Sequence, residues 1–336
     1  MDFPASIEYL YSLQRFGIKL GLDNMRSLMS RLPELRQQVP YVHVAGTNGN
    51  GSLSAMPAEI LRLSGLRVGL YTSPHLHCFT ERIRIDGEAI SREYAAALAT
   101  DIEAVATEIP VTFFEATTAM ALLAFSRSQV DIAVIDTGLG GRLDATNIVQ
   151  PQLCLITPVS SDHSEHLGET VALIAAEKAG IIKPEIPVVL GQQLPEALKA
   201  LIDTARRRGA PVQSAGRDFH WHGGQDAFKI CGPDYVIENL RCSLAGEHQR
   251  DNYAHAVAAA MQLRRQGVAV TDEALRLAGE SVVWPGRLEW WGDDRRLLLD
   301  VSHNQAGVSC LVDYLESQEL SGVRLVVGLS GERLAE

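Results

Sequence analysis

Residues 42–65 read VHVAGTNGNGSLSAMPAEILRLSG. Within them Gly46, Thr47, Asn48, Gly49, Asn50, Gly51 and Ser52 follow an apolar, strand-like run and open a helical pattern. A glycine-rich turn at such a junction presents free backbone N–H groups and the positive end of a helix dipole, and so binds phosphate. The Ser52 hydroxyl is placed to reach a magnesium ion there. The general nucleotide-loop spacing is GxxxxGK[ST], whereas this chain has a shorter GxxG followed by Asn50, Gly51 and Ser52. The loop therefore offers amides but no cation of its own, and a tight turn packing a helix on a sheet accounts for it equally well.

The loop must be held by a scaffold. Apolar runs rich in β-branched residues, at 41–46, 67–72, 131–138, 152–159 and 187–191, alternate with helical patterns at 53–64, 91–107, 115–128, 169–179 and 194–208. Nearly continuous apolar character means burial on both faces, as in a parallel sheet covered by helices. The expected fold is α/β, with a doubly wound, mostly parallel sheet. Between 211 and 245, short strand-like stretches with turn glycines predict antiparallel hairpins. Helices are expected at 250–266 and 272–280. Pro285 and Gly286 then precede a new strand, which sets a boundary between 1–286 and 287–336.

A chain of 336 residues can bury a large core and divide in two. Its 41 acidic and 30 basic residues give a net charge of −11, which leaves no electrostatic footprint for nucleic acid or an anionic membrane. An anionic substrate would need a local basic pocket. Cys78, Cys154, Cys231, Cys242 and Cys310 are scattered without a CxxC pair and read as reduced thiols of a cytoplasmic protein. No signal core opens the chain, and no run of about 18 apolar residues occurs.

The stretch HVAGTNGNGS closely resembles the AGTNGKGS loop of the folate branch of the Mur ligase family, the dihydrofolate and folylpolyglutamate synthases. The likeness continues in order through GIKLGLDNM (17–25), GLYTSPHL and ERIRIDGEAIS (69–91), FFEATTAMALLAF (113–125) and GLGGRLDATN (138–147). It runs on through DHSEHLG (162–168), AAEKAGIIK (175–183), HQRDNYAHA (248–256), PGRLE (285–289) and LLLDVSHN (297–304). The resemblance implies an ATP-binding Mur-type domain over 1–286 and part of a Rossmann-like, glutamate-ligating domain over 287–336. It also implies an ADP-forming ligation. A carboxylate of dihydropteroate or a reduced folate is phosphorylated by ATP, and the amine of L-glutamate then displaces phosphate.

The same resemblance assigns roles. Two Mg²⁺ sites are implied, with Ser52, Ser73, Asp136, His163 and Lys178 as metal-site residues. Asp136 stands where the family has a longer glutamate. Lys178 matches a lysine that is carbamylated in the family, and Lys178 and His163 are the implied catalytic groups. Gln249, Asn252, Arg287, Asp300 and His303 match residues that hold adenine, ribose and phosphate. Phe79, Glu81, Arg82, Phe114 and Asp144 fall on the substrate side. The partners are small molecules, with neither nucleic acid nor membrane, and relatives of this type are commonly monomeric.

Three departures cluster together: Asn50 replaces the loop lysine, Leu53 replaces a small polar residue, and Pro57 interrupts the expected helix. Loss of the lysine is expected to cost about 10²–10³ in rate, by analogy with deleting one transition-state donor. Residues 287–336 amount to about two strands and one helix of the implied C-terminal domain, which leaves an edge and an apolar face to be covered. Two further expectations stand beside the ligase. One is a non-catalytic nucleotide or pterin binder, or a decayed fragment; the other is a Mur-type ligase joining a different acid and amine.

Overall fold

The structure, a computed structural model, describes residues 1–17, 19–36, 39–224, 227–292, 294–320 and 322–328. Ile18 of the 17–25 motif, Gln225 and Asp226 of the hairpin region, and Asp293, Ser321 and 329–336 of the C-terminal segment lie outside them. The strands are β1 Tyr41–Ala45, β2 Val68–Tyr71, β3 Ile83–Ile85, β4 Glu88–Ala89, β5 Ile132–Asp136, β6 Pro151–Ile156, β7 Val188–Leu190, β8 Val212–Ser214, β9 His220–Gly223, β10 Phe228–Cys231, β11 Val236–Leu240, β12 Glu289–Trp291 and β13 Leu297–Leu299. The helices are α1 Phe3–Ser12, α2 Asp23–Ser30, α3 Asn50–Leu63, α4 Arg92–Val105, α5 Phe113–Arg127, α6 Ser164–Leu167, α7 Val171–Lys178, α8 Pro195–Arg207, α9 Glu247–Arg265, α10 Asp272–Ser281 and α11 Gln305–Ser317.

Eight strands form one sheet in the order β4-β3-β2-β5-β1-β6-β7-β8. Neighbours from β2 to β8 are parallel, and β3 and β4 add an antiparallel edge. Successive side chains on a strand point to opposite faces, which sorts the apolar runs into layers. Val42 and Val44, Ile132 and Val134, and Leu153 and Leu155 join residues of α3, α9 and α10 in one core. On the opposite face Ala133 and Ile135 pack with α4 and α5, and Cys154 and Ile156 with α7 and α8. The chain leaves β1 toward β2 on one side and reaches β6 on the other, so β1 sits at the switch point where such sheets open a crevice.

The hairpin expectation for 211–245 needs one correction. Val212–Ser214 extends the large sheet in parallel with β7, while β9, β10 and β11 make a separate antiparallel sheet. A strand of three residues carries no pattern that specifies its partner, and the bare edge of β7 supplies one. Beyond Gly286, β12 and β13 pair antiparallel and α11 follows. Among the described residues there, Leu288 and Tyr314 are the buried hydrophobics, while Val308, Val312, Leu325 and Val326 are exposed. No described helix is long and apolar enough to cross a membrane.

Candidate active site

The carboxyl ends of β1, β2, β5, β6 and β7 open into one cavity of about 830 Å³. Residues 46–52 form its floor loop. Gly49 adopts a left-handed conformation (φ 88°) at the start of α3, and no side chain caps that helix. Its first-turn residues Asn50, Gly51 and Ser52 therefore line the cavity with their amides unclaimed by a cap. Close packing explains the glycines. A β-carbon on Gly46 would come within 1.7 Å of the Thr157 hydroxyl, and one on Gly51 within 2.7 Å of the Trp284 ring nitrogen. Thr47 ties the loop to the segment after β6, donating from its amide to the Pro158 carbonyl (3.1 Å) and accepting from the Ser160 amide (3.1 Å).

Asn50 is folded back into the base of the loop. Its Nδ2 donates to the Gly46 carbonyl (3.1 Å), and its Oδ1 accepts from the Thr157 hydroxyl (2.6 Å). Lys178, the last residue of α7, donates from Nζ to the same carbonyl at 2.5 Å. The lysine is 5% exposed, and burial pulls its pKa down to about 8 against the attraction of Asp162, Asp136 and Asp144. Gln249 on α9 donates to the Ser52 hydroxyl (3.3 Å) and accepts from Asn252 (3.1 Å), so the helix opposite reads the end of the loop.

Asp136 ends β5 at 2% exposure, and its Oδ1 has no hydrogen-bond partner. Burial, then the neighbouring Asp144 carboxylate, raises its pKa well above the usual range. A buried acceptor without a donor is costly unless a cation or proton meets it. Ser73, Asp136 and His163 line the cavity with Ser52. Hydroxyls and a single carboxylate suit Mg²⁺, which binds few protein oxygens and retains water. Among the described residues no three His, Cys, Asp or Glu converge as a dedicated metal cage.

The far wall carries Arg287, Asp300 and His303. Asp300 accepts from the Leu288 amide (2.9 Å), the Ser302 amide (2.8 Å) and the Ser302 hydroxyl, and so shapes its own turn. Burial lowers the Arg287 pKa while Asp300 and Asp136 oppose it. Glu81 also lines the cavity. Burial alone would raise its carboxyl, but amides of Leu76, Cys78 and His77 donate to it and bring the pKa below the usual value.

Four expected substrate-side residues do not line the cavity. Phe79 is a core residue, edge-on to His75 and Phe113. Arg82 is buried, donating to His75 Nδ1 (2.8 Å) and lying 5.2 Å over the Phe113 ring. Phe114 presses on Gly138, where a β-carbon would meet its ring at 2.4 Å. Asp144 is saturated by the amides of Gly138, Leu139 and Thr146 and by the Thr146 hydroxyl, and so holds the 138–146 loop in shape.

Sequence reading missed Asp162, Trp284 and Asn304. Asp162 lies 3.9 Å from both His163 and His303, joining two motifs that were taken separately. Trp284 covers Gly51 and stacks under Arg84 (5.5 Å). Asn304 exchanges two hydrogen bonds with Asn48 (2.9 and 3.0 Å). The Asp162–His163 dipeptide was visible in sequence; the other two pairings needed the fold.

No family model matches the chain. It is similar to the dihydrofolate synthase/folylpolyglutamate synthase of Bacillus subtilis, 40% identical over 337 residues, covering 96% of this chain and 78% of that one. A solved FPGS–AMPPCP–folate complex is 33% identical with a TM-score of 0.87, covering 95% of this chain and 81% of that one. The Mycobacterium tuberculosis folylpolyglutamate synthase complexed with ADP is 33% identical with a TM-score of 0.86, covering 94% and 74%.

Proposed function

The chain belongs to the dihydrofolate synthase/folylpolyglutamate synthase family, and from that membership we propose that it is an ATP-dependent ligase adding L-glutamate to dihydropteroate or a reduced folate. The observation that carries the reading is convergence. The uncapped start of α3, Ser73 in the loop after β2, the orphaned carboxylate of Asp136 at the end of β5, and Lys178 at the end of α7 meet in one cavity.

In this reading a substrate carboxylate oxygen attacks the terminal phosphorus of ATP, and the bond to the bridging oxygen breaks to release ADP. The glutamate amine then attacks the acyl carbon, the amine proton is lost, and phosphate leaves. Mg²⁺, when bound, supplies charge neutralisation at the transferring group. Ser52, Ser73, Asp136 and His163 would hold it. The amides of 46–52 and the dipole of α3 receive the polyphosphate. Gln249 and Asn252 fix the loop's far end and Arg287 adds positive charge from the other wall, with Asp300 and His303 beside it. The free cysteines fit a reducing cytoplasm.

A second reading, a nucleotide or pterin binder without turnover, is favoured by Asn50, which leaves the loop without a cation. Incubation with ATP, Mg²⁺, L-glutamate and dihydropteroate separates the two. Phosphate release that requires all three substrates, with a glutamyl product seen by mass spectrometry, supports the ligase. Nucleotide binding without release gives the second reading, and neither binding nor release sinks both.

A further inference from the structure

We propose that His220 and His222, on the solvent face of β9, form a site for a divalent transition metal of the zinc type, at the edge of the main cavity and apart from the residues expected to hold Mg²⁺. The inference does not depend on the nucleotide reading, because it concerns two imidazoles for which the ligation has no use.

Residues two apart on a strand project from the same face. His220 and His222 stand in that relation and are both exposed, while Trp221 between them packs against the core. Their ring centroids lie 4.6 Å apart, with the planes at 70°. Zn–N bonds of about 2.0–2.1 Å place each ring centre about 3.2 Å from an ion, so two imidazoles on one ion at about 90–109° have centres about 4.5–5.2 Å apart. The observed separation falls within that window. Imidazole nitrogens suit zinc, nickel and copper, whereas Mg²⁺ selects oxygen. Among the described residues no third His, Cys, Asp or Glu joins the pair, which leaves the remaining coordination positions to water.

The strand that carries the pair is held in place. Trp221 donates from Nε1 to Asp251 on α9 (2.8 Å), lies under the Arg250 guanidinium at 4.7 Å, and meets the Phe228 ring edge-on. β9 is an edge strand of the three-stranded sheet and pairs with β10 along its whole length. Fixing the backbone of both donors beforehand lowers the ordering cost of bringing them to one ion. Across the ladder Cys231 stands opposite His220, and the exposed Lys229 opposite His222. The ammonium of Lys229 opposes a cation weakly, since water screens it. His220 also lines the main cavity, so an ion on this pair stands at the cavity's edge.

Titration of the full chain with Zn²⁺ in a calorimeter, in excess Mg²⁺ to occupy oxygen sites, tests this. A zinc-binding step should weaken by about tenfold or more in His220→Ala and likewise in His222→Ala, because losing either ring turns a two-point attachment into a one-point one. Cys231→Ser should leave that step unchanged. The ring signals of His220 and His222, identified by their absence from the spectra of the two variants, should shift together as zinc is added to the unaltered chain. If no zinc step weakens in both histidine variants, the proposal is overturned. A step that falls as far in Cys231→Ser assigns the ion to the thiol and overturns it too, as does a shift of only one of the two rings.

Discussion

His43 shows how one buried residue ties the site to stability. It is fully buried on β1, and its Nε2 lies 2.9 Å from the Thr146 hydroxyl. That hydroxyl gives its only proton to Asp144 (2.5 Å), so His43 must donate from Nε2, and its Nδ1 is left without a partner. Burial, aided by the charge of Lys183, pushes its pKa down to about 3; burial pushes that of His255 to about 4, although the Val189 carbonyl pulls the other way. Both folded values lie below the unfolded one near 6.5. Between them the unfolded chain binds more protons, so stability is present above pH 6.5 and is lost as pH falls. The slope is up to about 1.4 kcal/mol per pH unit for each histidine. Asp136 and Asp144, with raised values, act in the opposite sense. Urea midpoints should therefore fall less steeply below pH 6.5 in His43→Gln than in the unaltered chain, and parallel slopes would exonerate His43. In sequence the histidine was one letter of a strand; only the neighbouring hydroxyl fixes its tautomer.

At the scale of elements, α3 begins at Asn50, three residues before the periodicity suggested. The reason is Gly49, whose left-handed backbone starts the helix inside the glycine turn. The helix then continues through Pro57, which has no N–H for the Leu53 carbonyl. Both residues are buried, and Leu53 packs in the core beside Val42 and Val44. The departures at 53 and 57 are thus absorbed by packing, and that at Asn50 by hydrogen bonds to the Gly46 carbonyl and the Thr157 hydroxyl. Replacing Pro57 with alanine restores a hydrogen bond worth, with relief of the ring clash, about 3 kcal/mol, less about 1–2 kcal/mol of lost apolar burial. The urea midpoint of Pro57→Ala should rise. A fall would mean the surroundings have adapted to the ring. The five central strands, β1, β2, β5, β6 and β7, were legible because apolar runs are local, whereas β3, β4 and β8 carry no such run. The Thr112–Glu115 capping box that starts α5 appears only in the structure.

Across the whole molecule, Asn304 joins two parts of the chain 256 residues apart. It caps α11 by accepting from the Gly307 amide (3.0 Å), exchanges two hydrogen bonds with Asn48, and donates to Asp162 (3.2 Å). α11 buries only Tyr314 of its own residues, so this cap carries much of its attachment. Asn304→Ala removes a cap worth about 1 kcal/mol, which corresponds to about a fivefold gain in amide exchange along α11. Amides of β1 and β5 should be unaffected, since their stability comes from the sheet. Equal acceleration in both would mean that α11 and the sheet open as one unit.

The sequence by itself determined the parallel sheet, the glycine loop and the order of the family motifs, because these depend on local patterns of burial, backbone freedom and spacing. Tertiary structure alone decided which groups share the cavity. Lys178 and Asn50 meet on the Gly46 carbonyl across more than a hundred residues of chain, Asp144 turns inward to its own loop, and Val212–Ser214 joins the large sheet. The physical reason is that hydrogen-bond partners and charge environment are set by which elements pack together, and no short stretch of sequence specifies its distant neighbour.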